Sequence, residues 1–112
     1  MGKLDTLLTQ QFKISTRANE NPLVSSLGTT ATKVLDNNAD RLAWVIVNLS
    51  ANTVYISLKS DVSTSKGIML APNGGSASMV WDEDFQMTGW EIWGIAPAGA
   101  STIYVLEVVA TK

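Results

Sequence analysis

Residues 41–58 read Arg-Leu-Ala-Trp-Val-Ile-Val-Asn-Leu-Ser-Ala-Asn-Thr-Val-Tyr-Ile-Ser-Leu and hold two hydrophobic patterns side by side. From Leu42 to Val47 every residue is apolar, the pattern of a central strand covered on both faces. After the short turn Ser50-Ala-Asn52, the segment Thr53–Leu58 alternates, with Val54, Ile56 and Leu58 falling on one side. Neither half has the 3.6-residue period of a helix, and both are rich in β-branched and aromatic residues. Their closeness predicts a β-hairpin.

The same reading extends in both directions. Thr30–Leu35 reads as a strand ended by Asp36-Asn-Asn-Ala-Asp40, where Asx side chains supply turn chemistry. The polar stretch 60–66 reads as a loop, Ile68–Leu70 as a short strand returning to the core, and Pro72-Asn-Gly-Gly75 as a turn. Ala77–Trp81, Gly89–Ala96 and Ser101–Val109 read as further strands, and Gly94 inside one of them marks a bulge or a close approach. Strands at intervals of roughly ten residues, without helical segments for parallel crossovers, predict an all-β fold. The expected architecture is an antiparallel β-sandwich or jelly-roll-like barrel with an N-terminal arm.

That arm is residues 1–28, read as an arm or edge segment, with the sandwich domain at 29–112. Leu4, Leu7, Leu8 and Phe12 fall at helical spacing, whereas Phe12 and Ile14 alternate as a strand would. Pro22 then disfavours helical backbone at Asn21.

The totals bound the function. A chain of 112 residues has the size of one domain. Charged residues make up only 16%, which suggests a surface partly covered by another subunit. The net charge is −2 and Lys and Arg are scattered, so the basic footprint of a nucleic-acid binder is missing, as is a polybasic membrane-binding segment. No stretch approaches the roughly 20 apolar residues of a membrane helix, and the N-terminus lacks the apolar run of a signal peptide. Gly2 and Thr6 match the myristoylation pattern formally, a motif short enough to recur by chance.

Without His or Cys, neither a Ser-His-Asp triad nor a Cys-His pair can form, and zinc lacks its usual ligands. Gly74-Gly75 precedes a strand rather than a helix, the wrong setting for a phosphate loop. Asp82, Glu83 and Asp84 read as a solvated turn, with calcium the weaker alternative. Glu91 and Glu107 read as outward and hydrated; a Glu107 turned to the core would need Arg41 or Lys33 as partner. The expectation is a chain with no catalytic residues, no cofactor and no metal site. Trp44 reads as core. Trp90 and Trp93 have opposite parity, so one of them should stand outside the core. An outward Trp beside Tyr55 would stack on a sugar ring or anchor a neighbouring subunit, and subunit contact is the preferred reading. The expected interface residues are Leu4, Leu7, Leu8, Phe12, Ile14, Tyr55 and Trp93. Asn48-Leu-Ser50 is a formal glycosylation sequon next to a strand.

The strand opened by Arg41 and closed by Asn48, the return strand Asn52-Thr-Val-Tyr-Ile56, the connector Val62–Gly74 and the terminal Tyr104-Val-Leu-Glu-Val108 together carry a likeness. The pattern resembles small β-sandwich virion proteins of tailed bacteriophages. The resemblance implies a capsid decoration (cement) or head-fibre protein without catalysis. It implies as partners the major capsid protein and copies of the chain itself, as a trimer or dimer, with no nucleic acid and no membrane. It places the chain on the capsid surface of the virion, made in the host cytoplasm, with an arm reaching across capsomers. The alternative is a carbohydrate- or receptor-binding module of a phage fibre or tail.

Overall fold

The computed structural model describes residues 15–111, and of residues 83–85 the backbone alone. In chain order its strands are β1 (Ser15–Glu20), β2 (Ser26–Leu27), β3 (Thr32–Leu35), β4 (Arg41–Asn48), β5 (Val54–Ser57), β6 (Ile68–Leu70), β7 (Ser76–Val80), β8 (Ile92–Ile95) and β9 (Ser101–Thr111). Between β7 and β8 lie a single helical turn, α1 (Trp81–Asp84), and a 3-10 turn (Phe85–Gly89).

The strands form two antiparallel sheets. One has the order β1-β9-β4-β7, with β2 also paired to β9; the other has the order β3-β8-β5-β6. From β2 onward every connection but β5–β6 crosses from one sheet to the other, which is the strand order of a jelly roll. The all-β sandwich expected from the strand pattern is therefore the fold. Its core is built from Leu27, Val34, Leu35, Trp44, Ile46, Val54, Ile56, Leu70, Ile92, Ala96, Ile103 and Val105.

The expected hairpin is not there. β4 pairs with β9 and β7, whereas β5 pairs with β8 and β6 in the opposite sheet. The corner between them is held by Asn48, which is 0% exposed. Its Nδ2 group donates to the carbonyls of Asn52 (2.6 Å), Leu70 (3.1 Å) and Ala71 (3.2 Å). Its Oδ1 accepts from the Ser50 amide (3.0 Å) and hydroxyl (2.7 Å). A short loop that would close a hairpin is instead bent into a crossover, its polar groups satisfied by one side chain. The Asn48 amide of the sequon is thus consumed inside the fold.

Two other expectations shift. β4 is central but covered on one face only: Trp44, Ile46 and Asn48 are buried, while Val45 and Val47 stay partly exposed. In β6 only Leu70 returns to the core; Ile68 and Met69 are exposed on an edge strand.

Residues 1–28 admit two readings, an arm or an edge segment, and their described part takes the second. β1 runs along β9 for six residue pairs, from Ser15↔Thr111 to Glu20↔Leu106, and Leu27 is 1% exposed in the core. Residues 15–28 are an edge of the sandwich rather than an arm beside it. Asn21, with φ of 44°, breaks the strand, yet its amide donates to the Val105 carbonyl (2.7 Å) and its Oδ1 accepts from the Val105 amide (2.8 Å). The ladder to β9 is carried across the break. Leu4, Leu7, Leu8, Phe12 and Ile14 lie outside the described residues. The close approach expected at Gly94 is present: a Cβ there would stand 2.7 Å from Leu27 Cδ1.

Candidate functional site

One end of the sandwich is organised by a buried ion pair. The β4–β9 register shifts between Arg41 and Ala43, and this bulge turns Arg41 to the same side as Val109 and the core. There Arg41, 2% exposed, donates from Nε to Glu107 Oε2 at 2.7 Å. Asn19 Nδ2 donates to the other carboxylate oxygen at 3.1 Å. Glu107 is therefore not the outward, hydrated group expected. Both faces of β9 are apolar, so alternation could not fix which face carried the acid.

The remaining Arg41 donors reach out to two loops. Nη2 donates to the Asp36 carbonyl (2.6 Å), and Nη1 donates to the carbonyls of Thr88 (3.4 Å) and Trp90 (3.3 Å). The loops also bind each other. The Asn38 amide donates to the Gly89 carbonyl (2.8 Å), and Asn37 exchanges two bonds of 3.0 Å with Glu91. Asn38 Oδ1 accepts from the Asp40 amide (2.9 Å), the Asx-turn chemistry legible in the sequence.

Between these loops and α1 lies a cleft of about 460 Å³ lined by Asn37, Asn38, Ala39, Arg41, Trp81, Gln86, Gly89 and Trp90. Trp81 is 50% exposed and Trp90 47% exposed. Trp81 was expected in a strand and lies in α1 instead. Trp90 precedes β8, so the parity argument that set it against Trp93 does not apply. The signal that could have found the cleft was the density of Trp between 81 and 93 combined with the Asn pair at 37–38; nothing in the sequence said that the two segments meet.

Tyr55 and Trp93 do share a surface. Tyr55 opposes Ile95 and Ser57 opposes Trp93 in the β5–β8 ladder, which puts both rings on the outer face of the second sheet, one diagonal step apart. Trp93 is held there: its indole N–H donates to Glu91, and Lys33 Nζ sits 5.6 Å from its ring centroid. Lys33 also pairs with Asp36 at 3.3 Å, and this bond, together with the Asn37 amide, holds the Asp36 carboxyl below its usual range. Glu91, expected outward, is half-buried in this cluster.

The first sheet has an apolar strip on its outer face, flanked by Ser76 and Ser78 of β7. Ala43, Val45 and Val47 of β4 oppose Val108, Leu106 and Tyr104 of β9, and β1 adds Ala18 opposite Val108. Val45, Val47, Leu106 and Val108 are partly exposed and outside the core cluster. The charged residue of this face, Glu20, accepts from the Tyr104 hydroxyl at 2.6 Å, which raises the Tyr104 pKa.

Among the described residues no group of three or more acidic, His or Cys side chains is placed to hold a metal ion. Among the same residues no helix is long and apolar enough to cross a membrane. Comparison with protein-family models, with curated proteins and with solved structures gives no match.

Proposed function

We propose that this chain is a structural virion protein of a tailed phage, a decoration protein that binds the outside of the head and copies of itself. The observation that carries the reading is an apolar strip on the outer face of the first sheet, Ala43, Val45 and Val47 of β4 beside Leu106 and Val108 of β9, bordered by Ser76 and Ser78 of β7 and Glu20 of β1, on a chain with only 16% charged residues. Isolated exposed apolar residues are ordinary; a contiguous apolar sheet face on a small domain marks an interaction surface. Each Val or Leu side chain fully buried contributes on the order of 1.5–3 kcal/mol, against an association cost of at least about 4 kcal/mol, so a stable contact needs the whole strip and its border rather than single residues. The jelly roll agrees with this role, since viral capsid domains use it, but architecture alone does not assign function. The chain acts as a rigid block without catalysis, and many weak contacts over a symmetric shell add by avidity.

Light scattering on the purified chain tests the self-association. A dimer or trimer is expected, reduced to a folded monomer by Val45→Lys/Leu106→Lys. A wild-type chain that is monomeric at high concentration would sink the proposal. Co-sedimentation with tailed-phage heads stripped of outer proteins tests the second half; no saturable binding would limit the chain to self-assembly and overturn the decoration role.

A further inference from the structure

We infer that the cleft between Trp81 and Trp90 is a binding site for a neutral saccharide. This site is separate from the apolar sheet face and does not depend on the virion reading.

The chemistry is read from the lining. A sugar ring has apolar C–H faces and a rim of hydroxyls, so its site needs flat aromatic surface and uncharged donors and acceptors at the edge. Trp81 and Trp90 supply two large rings at half exposure, an unusual state for side chains whose burial is worth so much. The Gln86 side chain and the Nδ2 group of Asn38 line the same cleft and make no hydrogen bond to the described residues. The volume, about 460 Å³, falls in the roughly 300–1,000 Å³ range of small-ligand sites.

Charge decides between ligand classes. Arg41 is the cation of the cleft, and Glu107 neutralises it at 2.7 Å while its other donors are spent on backbone carbonyls. The acids next to the lining in sequence, Asp36, Asp40, Asp82 and Glu91, outnumber the neighbouring cation Lys33, which is already engaged by Asp36 at 3.3 Å and Glu91 at 3.9 Å. A phosphate, a nucleic acid or a uronic acid would find both nearby cations, Arg41 and Lys33, already paired with carboxylates. An uncharged polyol needs neither. The same ion pair also makes the site rigid. Arg41 bonds the 36–41 turn and the 88–90 segment at once, so both walls are fixed before a ligand arrives and little ordering entropy is lost on binding.

The test uses intrinsic tryptophan fluorescence and calorimetry on the full chain. The probes are neutral oligomers of glucose, mannose, galactose and N-acetylglucosamine, with oligogalacturonate as the anionic arm. At least one neutral probe is expected to bind saturably with an emission shift. Trp90→Ala and Trp81→Ala should each weaken that binding at least tenfold, and Trp93→Ala on the second sheet should leave it unchanged. Gln86→Ala, at an exposed position, should weaken binding several-fold and serves if a Trp variant fails to fold. The inference is overturned by no saturable binding to any neutral probe, by tighter binding of oligogalacturonate, or by affinity that survives Gln86→Ala and both Trp variants. A Trp81→Ala/Trp90→Ala protein that loses self-association would also overturn it, because the cleft would then be a subunit contact. Retained oligomers with lost sugar binding support it and leave the sheet-face proposal standing.

Discussion

Arg41 and Glu107 are the residues whose removal should be felt most. Taking one partner from a buried pair leaves the other charged and unpaired, at a cost of about 3–5 kcal/mol. Arg41→Met is therefore expected to lower the denaturation midpoint sharply, and Arg41→Met/Glu107→Leu to recover part of the loss. Equal losses from the single and double variants would show that the carbonyl contacts, not the ion pair, are what Arg41 supplies. Asn48 makes a second expectation. Asn48→Asp places an acceptor against three carbonyls, and unsatisfied buried groups cost about 1–3 kcal/mol each, so the loss should exceed that of Asn48→Ala. Tyr104 gives a pH dependence. Its bond to Glu20 raises the folded pKa above the ordinary 10.0, so the fold favours the protonated phenol. That contribution is complete below the unfolded pKa and disappears as pH rises through the raised value; the alkaline part of a stability-versus-pH profile should flatten in Tyr104→Phe. At this scale the sequence was partly legible. Residue type offered two partners for a core-facing Glu107, Arg41 and Lys33, and the structure uses Arg41. That pairing needed the bulge after Arg41, which alternation cannot foresee.

Elements were legible in existence and less so in pairing. The strand at 41–48 stands where its apolar run puts it. The turn at 36–40 uses the Asx bonds its composition predicts. The hairpin failed because a loop of suitable length is only permissive; Asn48, buried and multiply bonded, decides that the chain changes sheets. The short strand β2 escaped notice because two residues carry no period, yet its Leu27 fills the space left by Gly94. Gly94→Ala should cost about 1–3 kcal/mol through overpacking, with Leu27→Val on the same chain recovering some of it. Truncation tests the boundary of the domain. Removing residues 1–14 leaves the nine strands of the described residues and should preserve the fold. Removing residues 1–20 deletes β1, bares the edge of β9 and should yield a less stable, aggregation-prone protein. Identical stability of the two truncations would show that β1 contributes nothing to the sandwich.

For the whole molecule, fold class followed from strand spacing and the lack of helical period, while the two surfaces of interest followed from topology. The apolar outer face exists because β4 and β9 are apolar on both sides; the sequence contained that fact but offered a second covering layer as its explanation. The cleft exists because the 36–40 and 85–91 segments, some fifty residues apart, close the same end of the sandwich, and no local pattern encodes such a meeting. Tyr55 and Trp93 share a face as expected, though Trp93 is tied to Glu91 and Lys33 rather than left free for a ligand.

The position of β9 has a consequence for biosynthesis. It is made after the other eight described strands, and β1, β2 and β4 all pair with it. Contacts such as Asn19 with Glu107 join the two ends of the described chain. Loop closure over that distance opposes early pairing, and the first sheet has no centre until residues 101–111 emerge. The nascent polypeptide thus stays without its native first sheet until residues 101–111 have left the ribosome, so that sheet cannot form strand by strand as the chain emerges. Cells would hold the unfinished chain as a client of chaperones, and stalling translation before residue 101 should leave a species that proteases degrade at once.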